Sequence, residues 1–145
     1  MGQLNDIMNK QLSNWTVLYM KLHNYHWFVK GKDFFTLHEK FEEFYDEAAK
    51  YIDELAERQL MLNNKPLGTL KECLSTSSIT EGTYNETPSQ MVQAIIHDFN
   101  TIINESKTAI TAAEEQKDDA TADLFIGIIG SLEKHNWMLK TFLQE

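Results

Sequence analysis

Proline occurs only twice and glycine six times in the 145 residues. A chain so poor in helix breakers permits long helices. The single cysteine, Cys73, has no internal partner, which excludes an intrachain disulfide framework and points to a reducing compartment. Arg58 is the only arginine, and the formal net charge is -9. Both argue against a dedicated nucleic-acid surface, because phosphate recognition leans on clustered cations. No apolar run approaches the length of a membrane span, so no membrane association is expected. The first eleven residues alternate polar and apolar types, so no secretory leader is expected and the protein is expected in the cytoplasm.

What is present is apolar periodicity. Leu4, Ile7, Met8, Trp15, Leu18 and Leu22 recur at helical spacing, predicting a first helix from Leu4 to Val29. Lys30-Gly31-Lys32 breaks it. Asp33 is a candidate cap for the next helix, with Thr36 and Glu39 as an alternative capping box. Leu37, Phe41, Phe44, Ala48, Ile52 and Leu55 form the second stripe, which Asn63-Asn64-Lys65-Pro66 stops near Leu62. Residues 66–87 are rich in Thr, Ser and Gly and too many for a simple turn. They predict a crossover with one short helix near Leu70. Thr87-Pro88-Ser89-Gln90 combines a capping Thr, a Pro at the first helical position and a Gln three residues after the Thr. A third long helix follows. A short turn is expected over Glu114 to Ala120, then a fourth helix through Phe125, Ile128, Leu132, His135 and Leu139. The fold class is therefore all-α: one domain, residues 1–145, built as a four-helix bundle with a long crossover between helices two and three. That is the ferritin-like arrangement.

Acidic charge is concentrated on the second helix. Between Asp33 and Arg58 lie nine acidic and three basic residues, which carry six of the nine net negative charges. At about 100° per residue, with His38 at zero, the apolar stripe lies near 240–340°. On the same count Glu43, Glu47 and Glu54 fall at about 140–180°, which reads as plain surface. His38, Glu42, Asp53 and Glu57 share a different face, at about 0, 40, 60 and 100°, with Ala49 and Ala56 beside them.

Each of the pairs His38/Glu42 and Asp53/Glu57 spans one helical turn. The two pairs lie about 22 Å apart along one helix, too far for one metal ion. A second copy of the helix, antiparallel about a two-fold axis between Glu47 and Ala48, brings His38 opposite the carboxylate at 57 and Glu42 opposite that at 53. Such an axis generates two equal sites. Mixed imidazole and carboxylate ligands favour iron, manganese or zinc over calcium. The alternative is unremarkable charge pairing on an acidic surface.

Three blocks carry a family resemblance: Lys21-Leu22-His23-Asn24-Tyr25-His26-Trp27, Phe34-Phe35-Thr36-Leu37-His38-Glu39-Lys40-Phe41-Glu42-Glu43, and Asp53-Glu54-Leu55-Ala56-Glu57-Arg58. With the ending Glu133-Lys134-His135-Asn136-Trp137-Met138, they resemble the Dps miniferritins over nearly the whole chain. The resemblance implies ferroxidase activity with hydrogen peroxide or dioxygen, and ferric storage in a hollow homo-dodecamer. It implies a di-iron centre shared between two subunits. His26, His38 and Glu42 would come from one, and Asp53 and Glu57 from the other. It also implies acidic iron-entry pores, which fall here on Glu114, Asp119 and Asp123. These three equally suit helix-terminal carboxylates. Trp27, beside His26, would either supply an electron to the centre or pack as an interface aromatic. His23 and His135 are expected in structural roles. The sequence departs from the family at Asn63-Asn64, where relatives carry Gly-Gly, at Lys32, where they carry Pro, and often at Glu42, where they carry Asp. DNA-binding members use a Lys-rich tail, whereas the first twenty residues here hold one lysine, Lys10, so DNA binding by that route is not expected. A larger ferritin would need Glu three residues before His on two helices, and no histidine here has one.

Overall fold

The computed structural model describes residues 2–144, and the described residues form five helices without a strand. They are α1 (Gly2–Phe28), α2 (Phe34–Met61), α3 (Leu70–Thr76), α4 (Pro88–Glu115) and α5 (Asp119–Phe142). Helix α1 packs on α2 and α4, α4 packs on α5, and the short α3 lies against α1. Two hairpins of long helices, joined by residues 62–87, reproduce the expected bundle with its crossover. The stripes read from the sequence are the core: Leu18, Leu22, Phe41, Leu55, Phe99 and Phe125 are all buried. Trp15 sits at the centre, its ring 4.8 Å from Tyr51 and 6.3 Å from Phe99.

Local chemistry sets the boundaries. Gly31, at φ +100, turns the chain between α1 and α2 in a conformation that an L side chain resists. Asp33 occupies the N-cap of α2 but its side chain makes no capping bond. The alternative box at Thr36 and Glu39 is not used either, because both residues already lie inside the helix. Asn63, at φ 61, ends α2 in the left-handed region while the Asn64 amide bonds the Gln59 carbonyl at 2.8 Å. Thr87 and Gln90 form the expected reciprocal capping box. The turn between α4 and α5 is tighter than expected, occupying residues 116–118. Lys117 adopts φ 57 and Asp118 caps α5 by accepting from the Thr121 amide at 3.1 Å.

The crossover has few backbone partners of its own, so α1 side chains satisfy it. Buried Asn14 accepts from the Ser78 amide at 2.7 Å and the Ser77 hydroxyl at 2.9 Å. Lys21 Nζ donates to the Thr80 carbonyl at 2.7 Å and lies 2.7 Å from Asp98 Oδ2 on α4. Both charged side chains are almost fully buried, and burial pushes the Asp98 carboxyl up against the opposing pull of Lys21. Gly82 passes so close over α1 that a β-carbon there would meet Tyr25 Cε1 at 3.1 Å. Tyr25 donates to Glu86 Oε2 at 2.9 Å. The crossover is thus held tightly across the helix that carries His26.

Candidate metal centre

His26 stands near the end of α1 and His38 near the start of α2, so the short Gly31 turn sets them level. Their rings stack at 3.7 Å with planes 14° apart. The pair is reciprocal. His26 Nδ1 lies 2.6 Å from the His38 carbonyl, and His38 Nδ1 lies 2.7 Å from the His26 carbonyl. A carbonyl only accepts, so each Nδ1 is the protonated nitrogen. In the neutral ring each Nε2 then carries the lone pair, the tautomer that metal-binding histidines adopt when the other nitrogen donates to a carbonyl. The donor chemistry of this pair fits a first-row divalent ion.

An aromatic surround fixes both rings. Phe34 stacks on His38 at 4.8 Å. Tyr45 meets His26 at 5.3 Å with planes at 88°, and stacks on His23 at 3.7 Å and 18°. His23 bonds the Tyr19 carbonyl through Nδ1 at 2.8 Å, a supporting role as expected. Burial, then the neighbouring Glu42 and Asp46 carboxylates, push the Tyr45 phenol up. Tyr45 was not singled out from the sequence, although it follows His38 by seven residues and Glu42 by three on the same face.

Glu42, Asp53 and Glu57 are exposed, as is Ala49, and Ala56 is half-buried. The face predicted to meet a second copy is therefore open. Among the described residues no three His, Cys, Asp or Glu side chains converge into a metal-binding group. One chain brings His26 and His38 together and does not bring Asp53 or Glu57 to them. Trp27 is 57% exposed, and its ring neighbour is His23 at 5.4 Å. Glu114, Asp119 and Asp123 are exposed at the α4–α5 turn. Asp118 between them is engaged instead, bonded by Arg58 at 2.9 Å and by the Thr121 hydroxyl at 2.6 Å. Burial pushes its carboxyl up, but these bonds outweigh it and hold the group below the usual range.

One surface assignment is corrected. Glu47 is half-buried between α2 and α5, accepting from the Tyr51 hydroxyl and Ser131 hydroxyl at 2.6 Å each and from His135 Nε2 at 2.8 Å. It lies beside the far edge of the apolar stripe, where α5 packs. Burial pushes its carboxyl up, but the three bonds dominate and bring it down to about 2. Glu43 and Glu54 do behave as surface, pairing with Lys40 at 2.9 Å and Lys50 at 3.8 Å. His135 is the hydrogen-bonded, largely buried imidazole its stripe predicts.

Residues 5–145 match the ferritin-like domain family. The chain is 57% identical over 141 residues to general stress protein 20U of Bacillus subtilis, covering 97% of each. It is 50% identical to DNA protection during starvation protein 2 of Bacillus anthracis, covering 99% of this chain and 98% of that one. Among solved structures, Dps from Staphylococcus aureus superposes with a TM-score of 0.96 at 47% identity, over 99% of this chain and 96% of that one. Dps from Vibrio cholerae, described as a member of a broad superfamily of ferritin-like diiron-carboxylate proteins, matches with a TM-score of 0.94 at 34% identity, covering 98% of this chain and 89% of that one. With its five helices, its paired imidazoles and these relatives, the chain belongs to the Dps family of ferritin-like proteins.

Proposed function

We propose that this protein is a ferroxidase and iron store. In this reading Fe²⁺ is the substrate, hydrogen peroxide the preferred oxidant, and ferric mineral the product held inside a homo-dodecamer in the cytoplasm. The observation that carries the reading is the His26–His38 pair, with both Nδ1 atoms committed to carbonyls beside a face of exposed carboxylates. Among the described residues no three such side chains converge, and a partial ligand set of this kind is what a second copy about a two-fold axis would complete. His26, His38 and Glu42 of one subunit, with the residues equivalent to Asp53 and Glu57 from its two-fold mate, make up the centre.

Carboxylate oxygens are hard and anionic, so they stabilise Fe³⁺ more than Fe²⁺ and lower the cost of oxidation. The fixed Nε2 atoms hold the ion without adding charge. Two ferrous ions together give two electrons to peroxide, which then leaves as water and not as hydroxyl radical. Glu114, Asp119 and Asp123, all exposed near the α4–α5 turn, add negative charge that attracts cations to an entry pore. Large exposed apolar side chains, including Phe35, Met61, Tyr84 and Trp137, suit the contacts that a shell requires. Among the described residues no helix is long and apolar enough to cross a membrane.

A relative carries the name DNA protection during starvation protein 2. Removing iron and peroxide protects DNA without touching it, and the net charge of -9 favours that route. The test is anaerobic Fe²⁺ titration followed by peroxide, with His38→Ala and Asp53→Ala as comparisons. Saturable binding and rapid Fe³⁺ formation are expected in the wild type, with a loss of about tenfold or more in each variant. Equal oxidation in all three proteins would remove the reading. A gel shift at low salt is expected to show no retardation of DNA at neutral pH.

A further inference from the structure

A two-electron oxidant meets a difficulty where only one ferrous ion is bound. The iron yields one electron, and without a second donor peroxide departs as hydroxyl radical. The rings around the imidazole pair include one phenol, that of Tyr45. Seven residues make about two helical turns, so Tyr45 shares a face of α2 with His38. The Tyr45 ring lies 5.3 Å from His26, centroid to centroid, with planes at 88°, a contact geometry for aromatic pairs. His26 in turn lies flat on His38 at 3.7 Å. His23 covers the Tyr45 ring at 3.7 Å and is itself tied to the Tyr19 carbonyl, so the phenol ring is held in place. Trp27 is differently placed. Adjacent helix residues point about 100° apart. The Trp27 ring touches His23 at 5.4 Å, and among the described residues it has no ring contact with His26 or His38. Electron tunnelling falls exponentially with separation, which favours the ring in contact with an iron-binding imidazole.

We propose that Tyr45 is the one-electron donor of this centre when a single ferrous ion is bound. The proposal rests on the ferroxidase reading given above. Hydrogen peroxide, one Fe²⁺, the Tyr45 phenol and one solvent proton give Fe³⁺, a neutral phenoxyl radical and two waters. The O–O bond breaks. One electron comes from iron and one from the ring, and the phenolic proton and the solvent proton complete the waters. Tyr45 is half-buried, and its hydroxyl has no protein hydrogen-bond partner among the described residues and is not among the buried unpaired groups, so its proton passes to water.

The test loads anaerobic protein with one Fe²⁺ per site, adds one equivalent of hydrogen peroxide and freezes the sample for electron paramagnetic resonance. The wild type gives a radical whose hyperfine splitting collapses when the protein is made with ring-deuterated tyrosine. Deuterated tryptophan leaves it unchanged. Tyr45→Phe loses the signal, and Trp27→Phe retains most of it. Peptide mapping of turned-over wild type finds oxidised tyrosine at position 45, a readout independent of whether the variant folds. A tryptophan radical, a tyrosyl signal that survives in folded Tyr45→Phe, or oxidation mapped to a different tyrosine overturns the proposal. Fe³⁺ formation without any tyrosine radical overturns the donor alone, whereas no Fe³⁺ in the wild type overturns the ferroxidase reading beneath it.

Discussion

Glu47→Gln removes one charge from the α2–α5 contact and changes the side-chain shape very little. In the wild type, Tyr51, Ser131 and His135 all donate to this carboxylate. Folding therefore lowers its pKa from 4.5 to about 2, which corresponds to on the order of 3 kcal/mol of stability at neutral pH. The Glu47 side chain keeps 22% of its exposure, so water screens part of that and about 2 kcal/mol is the expected loss in the variant. The sign follows from the depressed pKa. The contribution is complete above the unfolded carboxyl value and disappears as pH falls from 4.5 towards 2. The assay is urea unfolding followed by circular dichroism at one fixed protein concentration, because assembly links stability to concentration. With about 2 kcal/mol per molar urea, the midpoint at pH 7 moves down by about 1 M. The gap between wild type and variant closes as the pH approaches 2. A midpoint that does not move at pH 7, or a deficit that stays the same in acid, would refute the reasoning.

Lys21→Met leaves Asp98 as an unpaired buried carboxylate and is expected to cost about 3–5 kcal/mol. Adding Asp98→Asn recovers most of that loss in the same unfolding assay, and an additive double variant would argue against a coupled pair. Thr87→Ala removes the capping box of α4 and costs about 1 kcal/mol, read as faster amide exchange in the first turn of that helix. His26→Ala deletes both a candidate ligand and the stacking partner of His38, so Fe²⁺ affinity measured anaerobically falls by about tenfold or more.

Periodicity made the helices legible because a core stripe repeats along each one. Thr87, Pro88 and Asn63 marked boundaries because their backbone preferences act locally. Glu47 was misread because a helical wheel gives the angle of a residue and not which neighbour covers it. At the edge of the stripe, only the packing of α5 decides between water and a hydrogen-bonded cluster. The Lys21–Asp98 pair left no local trace, since the two residues meet only once α1 and α4 are packed. For the proposed centre, spacing on α2 pointed to His38, Glu42, Asp53 and Glu57. His26 required the family resemblance, because its contact with His38 depends on the geometry of the Gly31 turn. Tyr45 passed unnoticed because a tyrosine beside an apolar stripe reads as packing, and only the ring geometry connects it to His26.

Mixing subunits tests the shared centre most directly. His38→Ala and Asp53→Ala each disable both sites of a two-fold pair on their own. After subunit exchange in equal amounts, each mixed pair keeps one site with every ligand intact, so ferroxidase activity returns to about a quarter of the wild-type level. If exchange is verified by mass and activity stays at the level of the separate variants, both ligand groups belong to one chain and the account is contradicted.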